Sequence, residues 1–311
     1  MTRSHPHITA RSFGYVDPNI PNPNGPNDTS IIIYGYTPSL ALAAFAATWF
    51  FLHLVVHTLQ THRHRSWWWL PFSVGLIFEI IGYVARALSA RQDPYNLIYF
   101  VLNYFFIVTA PVFLAAGIYT ILSGLIPLLG RQYALLPPKV ILWFFITSDV
   151  ISTVVQIAGA VLVGVRESRQ LDPSLANHIL LGGLAYQVFA MTVFIVVAAG
   201  FLVRARGVIL NMQGRRKGDG HEGNEGPAYA VFCGVFGLAT LLVYLRTIFR
   251  LAETAQGLGA SLATHEVYFA CLEFAPIAAV VLLFAVWHPG RFVGAKVGGT
   301  AGSLRVRSYG F

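Results

Sequence analysis

Leu70-Pro-Phe-Ser-Val-Gly-Leu-Ile-Phe-Glu79-Ile-Ile-Gly-Tyr-Val-Ala-Arg86-Ala-Leu88 is an apolar run that carries two ionisable residues. Read as a helix, it places Glu79 and Arg86 two turns apart on one face. A run of roughly 20 residues is long enough to cross the ~30 Å hydrocarbon core of a bilayer. In that core a charge costs at least ~2.5–3.5 kcal/mol on insertion scales, so such residues face a protein interior or a wet cavity. Two readings stay open for the pair: a structural contact, and a substrate or ion site. The other apolar runs have to decide between them.

Those runs dominate the chain. Its 311 residues are 56% hydrophobic and 11% charged, with mean hydropathy +0.62, whereas a soluble domain carries about 25% charged residues. The composition is that of an all-α polytopic membrane protein. Cys233 and Cys271 both sit inside apolar runs. Their depths differ by roughly 15–20 Å, while a disulfide needs Cα atoms within about 7 Å, so both thiols are expected to be free. The net charge of +8 reads first as a topology signal and then as attraction to anionic lipid; nothing favours a nucleic-acid partner. P-loop, HExxH and GxSxG signatures and a catalytic-cysteine context are missing from the sequence. No enzyme activity, cofactor or metal is therefore expected. His53 and His57 stand four apart, with His62 and His64 following. One HxxxH falls short of the several histidine boxes of membrane di-iron enzymes, and these histidines read as interfacial.

Residues 1–36 are polar, with Pro21-Asn-Pro-Asn-Gly-Pro26, and are predicted to be a disordered tail. They hold the chain's one glycosylation sequon, Asn27-Asp28-Thr29. Seven apolar spans follow within 37–288, at about 38–60, 70–89, 97–122, 139–164, 177–203, 228–250 and 265–287. A basic tail occupies 289–311. Trp67-Trp68-Trp69 reads as an interfacial aromatic belt. The segments after the first, third and fifth spans, together with the C-terminal tail, hold thirteen Lys and Arg, against five on the other side. This bias predicts an external N-terminus and a cytosolic C-terminus. It also puts Asn27 on the side where glycosylation occurs.

With that topology, depth follows from ~1.5 Å per residue. Glu79, Asp149 and Gln187 fall near mid-membrane and Glu273 somewhat nearer the outside. Gln156 shares a helix face with Asp149. Arg86, Arg246, Arg250, Glu253 and Glu266 crowd the outer third, and the spacing of Arg250 and Glu253 predicts a local pair. Three mid-membrane carboxyls point to one polar cavity that binds a cation or exchanges a proton. Glu79, Asp149 and Glu273 are expected to line it, with Arg86 and Arg246 at an outward-facing mouth. Salt-bridged helix ends are the competing reading of the outer charges. Pro38 and Pro71 read as first-turn residues, Pro111 and Pro276 as kinks or hinges, and Gly159, Gly182 and Gly183 as close-packing positions.

Several segments in order resemble a known family. They are Tyr36-x-Pro38-Ser39, Glu79-x-x-Gly82-Tyr83-x-x-Arg86, Ala110-Pro111 with Ala115-Ala116 and Tyr119, and Asp149-x-x-Ser152-x-x-x-Gln156-x-x-Gly159. Gly183 with Gln187, Arg246-x-x-x-Arg250-x-x-Glu253, and Glu266, Tyr268, Glu273 and Pro276 complete the set. The chain is similar over roughly 36–290 to the fungal lipid-translocating exporters, seven-helix proteins named for resistance to aminocholesterol. One departure is Glu273, where that family carries Asp. The resemblance implies a fungal membrane protein that exports amphipathic lipids or toxicants of sphingoid-base or sterol-like type, with the plasma membrane as the expected location and an endomembrane as the alternative. A seven-helix receptor for lipid stress and a porphyrin transporter are the alternatives. The candidate substrate-binding residues are Glu79, Arg86, Asp149, Gln156, Gln187, Arg246, Arg250, Glu253, Glu266 and Glu273. A cationic amine on an alkyl chain would suit carboxylates set in apolar walls.

Overall fold

Buried in lipid, a backbone must satisfy its own hydrogen bonds, and apolar helices do so within each segment. The computed structural model follows that rule. It describes residues 15–168, 171–172, 174–218, 229–257 and 260–293. The first 14 residues, the glycine-rich centre of the 204–227 segment and nearly all of the basic 289–311 tail lie outside the described residues. Seven spans form: α1 Leu40–His64, α2 Leu70–Arg91, α3 Leu97–Leu129, α4 Pro138–Ser168, α5 Ser174–Gly218, α6 Tyr229–Gln256 and α7 Glu266–Val286. Successive helices pack side by side, and α7 closes back onto α1 and α6. α3 contacts α2, α4, α5 and α6, and almost every side chain from Ala110 to Ile126 is buried. It is the central post of the bundle.

Most helix ends differ from the sequence reading, and each has a local cause. Pro38 precedes the helix; Ser39 is the N-cap and accepts from the Leu42 N–H at 3.4 Å. Asn96 caps α3 by accepting from Ile98 and Tyr99. α3 runs on to Gly130, whose φ of 125° ends it. The 45 residues of α5 correspond to a length of roughly 68 Å, more than twice a bilayer core. Basic positions expected in a loop from 204 therefore begin on helix. The Trp67–Trp69 belt is one 3₁₀ turn in which Trp67 is exposed while Trp69 is fully buried and stacks on Phe72 at 4.4 Å. His57 is likewise a core residue and not an interfacial one. Its Nε2 meets the Val281 carbonyl at 3.1 Å and ties α1 to α7. Both cysteines are free.

Two glycines set helix spacing. A Cβ at Gly82 would stand 2.6 Å from Ile107 Cγ1, and one at Gly159 would stand 2.7 Å from the Leu180 backbone nitrogen. α2 therefore touches α3, and α4 touches α5, at backbone distance. Gly183 packs on Gln156 in the same way, but Gly182 faces open space, so the packing role expected for Gly182 is corrected.

The expectation of disorder over 1–36 does not hold for residues 15–36. Tyr15 pairs with Ile32 and Asp28 with Asn96 as isolated bridges. Ile32, Tyr34 and Tyr95 form a small buried cluster with Tyr15, Ile20, Tyr36 and Phe100, separate from the main core. The aromatic and β-branched residues at 31–36 supply the apolar surface that the Pro-Asn-Gly stretch lacks. This strap lies over the α2–α3 connection and marks one end of the bundle.

Candidate functional site

Three spans converge at the first charged cluster. Arg246 of α6 donates through Nη2 to Glu273 Oε1 of α7 and, at 2.7 Å, to the carbonyl of Ile107 on α3. That carbonyl is free for a covalent reason. In α3 its helical partner would be the N–H of residue 111, which is proline. Glu79 of α2 faces both Arg246 and Glu273. All three side chains are buried, and Glu79 Oε1, Glu273 Oε2 and Arg246 Nε find no hydrogen-bond partner. The guanidinium thus pairs with Glu273 while a second buried carboxyl, Glu79, lies within its electrostatic reach without bonding it, which is costly in a low-dielectric interior.

Backbone irregularity aims Glu273. Residues Phe269–Phe274 form a π-helical stretch in which the Ala275 N–H reaches back to the Ala270 carbonyl. Pro276 follows within the first turn of the regular helix. One π-turn shifts the phase of α7 and rotates Glu273 onto α6; such bulges concentrate at functional sites.

A second group adjoins Arg246. Gln156 Nε2 donates to Ser152 Oγ and to Gln187 Oε1, both at 2.8 Å. Gln156, Gln187, Arg246 and Arg250 then line a cavity of about 10 Å³, room for about one water. Arg250 pairs with Glu253 at 2.7 Å, as their spacing predicted, and lies over the Tyr104 ring at 4.6 Å.

The expected single cavity is corrected by two placements. Asp149 is bonded to the Tyr119 hydroxyl at 2.7 Å, among Phe145, Phe194 and Met191. It lies on the α3–α4–α5 side and is not grouped with Glu79 and Glu273. Arg86 pairs with Glu266 at 2.7 Å and with Tyr36, at the strap end. Arg86 and Arg246 therefore share no mouth, and Arg246 is itself interior. A concavity of about 450 Å³ is an open apolar groove between α4 and α5 lined by Trp143, Phe144, Ser148 and Tyr186, and it contains none of the expected residues. Tyr119, Ser152, Tyr34 and Phe269 escaped the reading of charges because none is ionised at neutral pH. The Pro111–Ile107 relation was legible as an i, i−4 spacing, but its partner Arg246 was not.

Fold and site define a seven-span α-helical membrane protein with charged residues ion-paired in its interior. Residues 72–296 match the family described as RTA1 like protein, and the chain belongs to that family. It is 31% identical over 261 residues to the Sphingoid long-chain base transporter RSB1 of Saccharomyces cerevisiae strain Lalvin EC1118, covering 76% of this chain and 68% of that one. It is 24% identical over 303 residues to Protoporphyrin uptake protein 1 of S. cerevisiae strain ATCC 204508 / S288c, covering 86% and 94%. Protein RTA1 of the same strain is 26% identical over 222 residues, covering 71% and 65%. No solved structure matches the chain.

Proposed function

We propose that the protein exports amphipathic lipids or toxicants, with single-chain amines of the sphingoid-base kind as the favoured class. The observation that carries this reading is the Glu79–Arg246–Glu273 cluster, buried between apolar spans with two carboxyl oxygens unpartnered. An ammonium group would supply the missing partners, and the helix walls suit an alkyl chain. The name of the 31%-identical yeast relative supports the same class. A cation and a proton compete for one carboxylate, so release of the amine would be coupled to proton uptake at Glu79 or Glu273. A proton gradient could then drive export. Gln156, Gln187, Arg250 and Glu253 would line the route beside that cluster, with Arg86 and Glu266 at the strap end and Asp149 on the far side of α3. The thirteen-to-five Lys/Arg bias supports an external strap and a cytosolic C-terminus, and we place the protein in the plasma membrane on the family resemblance alone.

The test is flux in vesicles that contain only this protein. A fluorescent sphingoid base should cross faster than in protein-free vesicles, and an imposed proton gradient should change the rate. No flux of any amphipath would overturn transport and favour a receptor. Flux of a porphyrin without flux of the amine would move the assignment toward the porphyrin-uptake relative.

A further inference from the structure

The strap does more than cover the α2–α3 connection. Its two tyrosines close over Arg86, whose guanidinium carbon lies 5.2 Å from the Tyr34 ring centre and 5.5 Å from that of Tyr36. A third ring, Phe269, stands 4.2 Å away from the first residue of the π-helical stretch. The Glu266 carboxylate accepts from Arg86 Nη2 at 2.7 Å and also takes the Ser39 N–H of the α1 cap at 2.9 Å. Three aromatic faces and a carboxylate around one cation make an ammonium-binding cage. A structural ion pair needs a carboxylate and hydrogen-bond partners, but it does not need rings brought in from two other segments.

Three further observations point to a site and not to packing alone. Arg86 leaves its Nε unpartnered although it is 1% exposed. The Glu266 side chain is 23% exposed while Arg86 is sealed, so the carboxylate can be reached from the strap end. The strap is held by its own small apolar cluster, and such a unit can open without unfolding the bundle.

We infer that Tyr34, Tyr36, Phe269 and Glu266 form a recognition cage for the ammonium head group of an amphipath, filled at rest by Arg86 as a tethered competitor. This deepens the proposed export reading by adding a head-group site at the strap end, distinct from the Glu79 cluster. The arriving cation displaces the Arg86 guanidinium from Glu266 as the strap lifts.

The experiment measures binding of a water-soluble alkyltrimethylammonium to the full-length protein in nonionic detergent by calorimetry. The control is the uncharged isostere with carbon in place of nitrogen. Arg86→Gln removes the competitor and should tighten ammonium binding about tenfold, with no effect on the isostere. Adding Tyr36→Leu and Phe269→Leu should abolish the gain. Unchanged or weaker ammonium binding by folded Arg86→Gln would overturn the cage. If Arg86→Gln does not fold, Tyr34→Leu and Phe269→Leu in the otherwise native chain decide the matter: each should weaken ammonium binding several-fold while the melting temperature without ligand stays close to native. Unchanged binding in both would overturn the proposal. Ammonium binding without vesicle flux would overturn the export reading and keep the cage. Flux with no ammonium binding would do the reverse.

Discussion

Pro111 and Arg246 are joined through one oxygen atom. The proline lacks the N–H that would occupy the Ile107 carbonyl, and Arg246 donates to that carbonyl at 2.7 Å from a different helix. Gly82 permits the same contact from the other side, since any Cβ there would strike Ile107. A helix defect, a small residue and a buried charge thus fix one point at the junction of α2, α3 and α6.

Removing Arg246 should therefore cost more than an exposed charge would. Arg246→Leu leaves Glu273 uncompensated and the Ile107 carbonyl orphaned, and is expected to lose about 3–5 kcal/mol. The double change Arg246→Leu with Glu273→Leu should recover most of that loss. Thermal melting of the purified protein in detergent measures both. A double variant no more stable than the single one would contradict the pairing.

Glu79→Gln tests the proposed amine site. It keeps size and hydrogen bonding but removes the charge. Flux of a cationic amphipath should fall at least about tenfold with protein level near normal, and a neutral lipid of equal chain length should be much less affected. Equal loss for both substrates, tracking protein abundance, would mark Glu79 as structural.

Glycine positions give a paired stability test. At Gly159 a Cβ meets the Leu180 backbone at 2.7 and 2.8 Å, whereas Gly182 on α5 has nothing within 4 Å. Gly159→Ala should cost about 2 kcal/mol or more by forcing α4 and α5 apart. Gly182→Ala should be neutral or stabilise by up to about 1 kcal/mol through helix propensity. Melting temperatures of the two variants check the contrast.

His288, just past the end of α7, supplies a pH prediction. Burial pushes its pKa down from 6.5 to about 3, and His57, His64 and Arg291 act in the same direction. The unfolded chain accepts this proton near 6.5 while the folded chain resists it until about 3. Below 6.5 the unfolded state holds more protons, so this contribution is full above that pH and is lost as pH falls toward 3. His288 Nδ1 accepts from the Gly290 N–H, and Asn can offer an acceptor nearby. His288→Asn should flatten the fall in melting temperature between about pH 6 and pH 4. An unchanged slope would assign the acid sensitivity elsewhere.

Asn27 tests the orientation. Its side chain is exposed, while the Thr29 hydroxyl of its sequon donates to the Ile31 and Tyr95 carbonyls. Glycan transfer must therefore precede closure of the strap. Endoglycosidase treatment of protein expressed in a glycosylating host should shift the native chain and leave Asn27→Gln unmoved. External labelling of a cysteine placed at Lys217 would refute the topology outright.

Hydropathy by itself determined the seven spans, because a run of roughly 20 apolar residues has few alternatives to a lipid-buried helix. Spacing alone also predicted the Arg250–Glu253 pair, which lies within one helix where i, i+3 geometry is fixed. Counting residues assigned Glu79, Asp149, Glu273, Arg86 and Arg246 a depth along each span but said nothing of rotation about the helix axis. Partner choice depends on that rotation. Tertiary structure decided that Glu79 faces Arg246 and not Arg86, that Glu266 takes Arg86, and that Tyr119 holds Asp149 apart. The π-turn at Phe269–Phe274 changes the phase of α7, and no count of 3.6 residues per turn carries across it. The order of the strap was hidden for a related reason. Its polar composition gives no periodic signal, and the residues that fix it, Ile32, Tyr34 and Tyr95, come from two segments that meet only in the folded chain.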